Sequence, residues 1–142
     1  MKRPGQRSDC PISSALDLFG DKWSLLVMRD LLFRNKLHYR EFLASEEGIA
    51  TNILADRLAR LEQAGLIEKT GDDPRSGKQA YFATAKGKDL IPLLLQMMLW
   101  SAEHNPQTAT PDALITELKT DLAKTARAIR QKGGIQGFLE SL

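Results

Sequence analysis

Thr51, Asn52, Arg57 and Arg60 fall within one short segment of the chain, and their side chains suit the edges of nucleic-acid bases. An Asn amide pairs with adenine, an Arg guanidinium with guanine or a phosphate, and a Thr with a phosphate or a thymine methyl. Asp56, four residues before Arg60, fits an i,i+4 ion pair on a helix. The plainer reading of these residues is a solvated helix face. Further along, Arg75, Ser76 and Lys78 lie in a loop rich in Gly, Asp and Pro, where they could reach backbone phosphates. Asp72 and Asp73 beside them weaken the local positive potential. Cys10 is of another kind. It precedes Pro11 at the start of an expected helix, where backbone N–H groups and the helix dipole favour a thiolate. The plainer reading is a small residue with an ordinary thiol. It is the single cysteine, so any disulfide would join two subunits or capture a small thiol. His38 and His104 are isolated, and no Ser/His/Asp set, Gly-rich phosphate loop or metal-ligand spacing stands out. We therefore expect no enzyme activity, no cofactor and no metal site.

The 142 residues are 42% hydrophobic and 27% charged, as in an ordinary globular domain. A net charge of +2 permits a nucleic-acid partner without requiring one. The N-terminus lacks the apolar core of a secretory signal, and no stretch approaches the roughly 20 apolar residues that span a bilayer. The expectation is a cytoplasmic protein with no membrane partner.

These residues need elements to hold them. Pro11 opens a helix whose apolar positions Ile12, Ala15, Leu16 and Phe19 follow helical spacing, with Gly20 at its end. Asp21 can cap a second helix running to about Phe33. Leu37-His38-Tyr39 reads as a very short strand and residues 41–44 as a short helix. A third strong helix spans about 51–64, with Ile53, Leu54, Leu58 and Leu61 on its apolar face and Gly65 as its stop. The period then becomes alternating, and residues 66–69 and 79–83 form a hairpin with a charged tip. Thr84 can cap a long helix to about His104, within which Pro92 marks a kink or a later start. A linker follows. A last helix is expected from about residue 110 to 132, with a tail containing Phe138 and Leu139.

Helices followed by a two-stranded hairpin, with a tight turn before the third strong helix, is the order of a winged helix-turn-helix. The expected class is mainly α with a small β-hairpin (α+β), carrying additional dimerisation helices. The chain resembles the HxlR family of winged-helix regulators, relatives of the MarR group. The resemblance rests on Cys10-Pro11, Ala15 through Trp23, Leu31-Leu32, Tyr39-Arg40-Glu41-Phe42, Gly48 through Leu54, Arg57-Leu58, Leu61-Glu62, Gly65-Leu66-Ile67, Tyr81 and Thr84-Ala85-Lys86-Gly87. It implies a homodimer that binds double-stranded operator DNA through Thr51, Asn52, Asp56, Arg57 and Arg60 and through Arg75 and Lys78 of the wing. It also carries an oxidant- or electrophile-sensing role onto Cys10. Arg40 and Ala50 depart from the family pattern, standing where a capping Ser is common. Residues 1–9 read as a mobile basic arm, 10–104 as the DNA-binding domain with its long helix, and 105–142 as a helical extension for dimerisation or packing. Expected, then, is a sequence-specific regulator, most simply a repressor on an inverted repeat. A pocket between helices is a candidate site for a small aromatic effector. The alternative is a winged-helix interaction module that docks a protein instead of DNA.

Overall fold

The computed structural model describes residue 5, residues 7–71 and residues 79–142. Parts of the expected basic arm, and Arg75, Ser76 and Lys78 of the wing tip, lie outside the described residues.

Helix α1 (Pro11–Phe19) starts at a proline whose missing N–H would be unpaired at that position in any case. Helix α2 (Ser24–Phe33) is preceded by Asp21, whose carboxylate accepts from the amides of Trp23 and Ser24, both at 3.0 Å. Helix α3 (Tyr39–Leu43) and helix α4 (Thr51–Gln63) make the helix-turn-helix. Strands β1 (Ile67–Thr70) and β2 (Ala80–Ala83) pair antiparallel, with Ile67 opposite Ala83 and Thr70 opposite Ala80. Val27, Met28 and Leu31 of α2, Phe42 of α3 and Leu54, Leu58 and Leu61 of α4 share one core.

The expected strand at Leu37-His38-Tyr39 does not form. Leu37 lends the hairpin one backbone bond, its carbonyl accepting from the Tyr81 amide at 2.8 Å. The chain then turns at once into α3, where Glu41 accepts from the amides of Leu37 and His38. A segment that must cap a helix has no length left for a ladder.

The long helix expected from Thr84 is two helices. Thr84 caps α5 (Ala85–Lys88), accepting from the Gly87 amide at 3.1 Å. Pro92 then sits in the first turn of α6 (Ile91–His104). A proline there cannot donate to the carbonyl four residues back, so the helix restarts instead of continuing. The last expected helix is also two. Asp121 leaves helical geometry after α7 (Asp112–Thr120) and accepts from the Lys124 amide at 3.0 Å, capping α8 (Leu122–Lys132). The tail folds into α9 (Ile135–Glu140), with Phe138 buried.

Helices α7, α8 and α9 extend the same core through Leu114, Leu118, Ala126, Ile129 and Phe138. Arg130 of α8 also reaches Asp89 at 2.8 Å. Apolar side chains elsewhere stay in solvent. Ile12 is 72% exposed and Leu16 50% exposed on α1, which contributes no buried residue. Leu93, Met97 and Trp100, at helical spacing on α6, are exposed as well. Among the described residues no helix is long and apolar enough to cross a membrane.

Candidate nucleic-acid interface

The outward face of α4 follows from its inward face. Leu54, Leu58 and Leu61 are buried, each worth about 1.5–3 kcal/mol of apolar burial. Their spacing turns Thr51, Asn52, Ala55, Asp56, Ala59, Arg60 and Gln63 to solvent. Ala50, at the N-cap, has no side-chain acceptor to offer. The start of the helix is tied instead by Tyr39, whose hydroxyl donates to the Thr51 carbonyl at 2.6 Å. At the far end, Gly65 takes a left-handed conformation (φ +78°), which a glycine adopts without strain. The Thr84 hydroxyl then donates to the Gly65 carbonyl at 2.6 Å, and Lys86 Nζ donates to the Ala64 carbonyl at 2.7 Å. Thr84 through Gly87 thus closes the end of α4. The fit is tight, because a Cβ on Gly87 would lie 2.1 Å from the Leu66 carbonyl oxygen.

Of the sequence-predicted residues, the structure brings Thr51, Asn52, Asp56 and Arg60 together on the exposed face. Arg57 is turned away from it. Its side chain is 17% exposed, and Nε donates to Asp21 at 2.8 Å while Nη1 donates to Asp56. The acid it serves is therefore the one that caps α2, joining the start of α2 to α4. Burial by itself would raise the Asp21 carboxyl. Hydrogen bonds from Ser24, Arg57 and the amides of Trp23 and Ser24 outweigh it and hold the group well below the usual carboxylate range. Arg57 is correspondingly raised, first by Asp21 and then by Asp56. Arg60 stays 50% exposed, 3.7 Å from Asp56.

Ala55 and Ala59 escaped the sequence reading because neither carries a polar group. Their signal was position: each is four residues on from an outward residue, and their small side chains leave that side of the helix open. Gln63 lies one turn beyond Ala59 on the same side.

The turn before α4 is clamped from α2. Arg29 donates to both oxygens of Glu47, at 2.6 and 2.8 Å, and also to buried Asp30 at 2.9 Å. Arg34 makes a two-pronged pair with Glu46 at 2.8 and 2.9 Å. Ser45, between them and α3, donates to Asp30 at 2.5 Å and accepts from Lys36 at 2.6 Å. The guanidinium of Arg34 lowers Glu46 to about 2, and that of Arg29 lowers Glu47. Gly48, at φ +71°, makes the bend that follows.

The described part of the wing ends at a neck where Gln79 Nε2 donates to the Gly71 carbonyl at 3.0 Å. Tyr81 seats β2 on the core, edge-on to Phe42 with ring centres 6.2 Å apart. Cys10 is exposed at the start of α1. Arg7, its near neighbour in sequence, pairs with Asp17 at 2.9 Å. Among the described residues no group of three or more His, Cys, Asp or Glu side chains is placed to hold a metal ion.

Residues 18–109 match the family described as HxlR-like helix-turn-helix. The chain is 31% identical over 107 residues to the uncharacterized HTH-type transcriptional regulator sll1512 of Synechocystis sp., covering 75% of this chain and 78% of that one. Among solved structures, PA1607 superposes with a TM-score of 0.63 at 32% identity, over 75% of this chain and 74% of that one. The redox regulator HypR in its oxidized form superposes with a TM-score of 0.60 at 27% identity, over 68% of this chain and 98% of that one. With a helix-turn-helix, a wing and a family match that ends near the close of α6, this chain is a winged-helix transcriptional regulator that belongs to the HxlR-like helix-turn-helix family.

Proposed function

We propose that the protein is a homodimeric repressor that binds an inverted-repeat operator through α4 and the wing. The observation that carries this reading is the division of α4: three leucines packed inward, and Thr51, Asn52, Asp56 and Arg60 presented together outward. Asn52 and Arg60 read base edges, Thr51 meets a phosphate or a thymine methyl, and Asp56 accepts from a cytosine amino group or orients Arg60. Ala55 and Ala59 supply apolar contact. Arg57 positions the helix through Asp21. Arg75, Ser76 and Lys78 follow the adjacent phosphates. Residues 10–104 form the DNA-binding unit, and residues 105–142 brace it.

The dimer forms through the exposed stripes of α1 and α6. Ile12, Leu16, Met97 and Trp100 are large apolar groups in water, an arrangement that marks an association surface. A two-fold axis there sets the two recognition helices about one DNA turn apart, roughly 34 Å. Cys10 starts α1 and so lies beside that surface. The redox regulator HypR is a structural relative, which supports the reading that oxidation of Cys10 alters dimer geometry and operator affinity.

Selection of bound fragments from a fragmented genome tests the function. An enriched inverted repeat, lost in Asn52→Ala and Arg60→Ala, supports it; unchanged affinity and sequence preference in both variants would remove α4 as the reader. Equal binding by reduced, oxidised and Cys10→Ser protein would remove the sensor. One observation favours the second reading, an interaction module: Asp56 sits against both Arg57 and Arg60 and offsets their charge. That reading requires no salt-dependent duplex binding and co-purification with one specific protein.

A further inference from the structure

A cleft of 560 Å³ lies between α2, α6 and the C-terminal helices. Small-molecule sites typically occupy roughly 300–1,000 Å³. Nothing in the reading of DNA uses it, and of the four residues named for the dimer surface it shares Met97. One wall comes from the winged-helix core, with Leu26 of α2 and Leu94 and Met98 of α6. The other comes from Thr110, Pro111, Leu114 and Ile135, all beyond the segment that matches the family. The extension therefore adds a second apolar wall to what would otherwise be an open side of α6.

Its polar groups define the ligand. Arg29 and Arg34 line the cleft, yet each already holds a carboxylate in a two-pronged pair, Glu47 and Glu46 respectively. An anionic ligand would have to displace one of these charge-assisted pairs. The other polar side chains in the lining are neutral: Ser101, Thr110, Thr108, whose hydroxyl already donates to the Asn105 carbonyl, and Gln136, whose amide nitrogen donates to Glu140, so the last two offer a ligand acceptor oxygens. Met97, Met98 and Phe33 give a polarizable lining suited to a ring. The fitting occupant is neutral and mainly apolar, with an aromatic or branched body and a hydroxyl or carbonyl oxygen.

The same two arginines reach the DNA-reading side. Glu46 and Glu47 form the turn before Gly48, and α4 begins at Thr51. We infer that this cleft binds a neutral, predominantly apolar small molecule, and that its occupancy adjusts the helix-turn-helix turn through Arg29 and Arg34. The inference rests on the regulator reading only for its biological consequence; binding and coupling are measured without DNA.

The probe is N-phenyl-1-naphthylamine, neutral and fluorescent in apolar surroundings, titrated into the full chain. Expected is saturable binding of one probe per chain. Filling the cleft from its rim with Ala109→Trp, or with Ser101→Phe, weakens it about tenfold or more. The sulfonated analogue binds less tightly than the neutral probe. Amide exchange over residues 45–50 changes when the probe binds, and that change is lost in the Glu46→Gln/Glu47→Gln variant, which removes the two carboxylates and leaves the apolar lining of the cleft unaltered. Unsaturable binding, or affinity unchanged from the parent chain in both filled variants, overturns the site. Binding seen only after Trp100→Asp disrupts association also overturns it, because a second copy then covers the cleft. Unchanged exchange over 45–50 with the probe bound overturns the coupling. If the chain binds no DNA at all, the function proposed above fails, while these measurements still decide the cleft.

Discussion

Arg57 and Arg60 are three positions apart on one helix and do different work. Arg60 faces solvent, while Arg57 is spent on Asp21. Arg60→Ala should therefore weaken binding to a selected operator by about 1–3 kcal/mol and relax preference at one base position. Its melting temperature should hardly move. Arg57→Met should do the reverse first, lowering stability by about 1–2 kcal/mol because a half-buried carboxylate loses its partner. Anisotropy titrations on matched duplexes and thermal melts separate the two. Similar melting of both variants would contradict the division. The sequence already placed both arginines on the helix. That Arg57 serves Asp21 depended on a contact across 36 positions, and spacing along the chain contains no such information.

At the scale of elements, the turn before α4 is an electrostatic latch. Glu46 and Glu47 are both held below the ordinary glutamate value of 4.5, Glu46 to about 2. A carboxylate with a depressed value in the folded state stabilises fully above its unfolded value, and loses that contribution as the pH falls through the folded one. The latch should thus be intact at neutral pH and should open as the pH drops from about 4.5 toward about 2. Thermal melts over that range should show a shallower acid limb in Arg29→Met/Arg34→Met than in the parent chain. Parallel profiles would mean that the pairs add nothing to folding. The closure of α4 makes a second prediction. Gly87→Ala puts a methyl against the Leu66 carbonyl, and overpacking of this kind costs about 1–3 kcal/mol. Denaturant unfolding measures it, and an unchanged midpoint would show that the hairpin yields freely.

For the whole molecule, the apolar groups left in solvent matter most. Leu16→Asp and Trp100→Asp should shift the protein from dimer to monomer in sedimentation velocity while leaving its helical content intact. Operator affinity should fall sharply in both, because one recognition helix alone contacts half a site. A monomeric parent chain would remove the dimer from the proposal. In the dimer, operator affinity should fall on the order of 10³-fold between low and moderate salt if several phosphates are neutralised on each half-site.

The amino-acid pattern by itself determined the winged helix-turn-helix. Helical spacing in α1, α2 and α4, the stop at Gly65 and the alternation of the hairpin are local signals, and the ordered motifs sufficed to show a family resemblance. The outward and inward faces of α4 followed from the same periodicity except at Arg57, which turns to Asp21. Three things were decided only in the folded chain. Pro92 and Asp121 each broke a continuous apolar stripe, since a stripe reports which face is buried and a cap or a missing N–H decides where the helix begins. Leu37 gave the hairpin a single backbone bond because the cap of α3 claimed its neighbours. The cleft arose from α2, α6 and the extension meeting in space, and the arginine latch from α2 meeting the turn before α4. Pairings such as Arg29 with Glu47 and Arg34 with Glu46 depend on how elements pack, and side-chain periodicity along one element is silent about its neighbours.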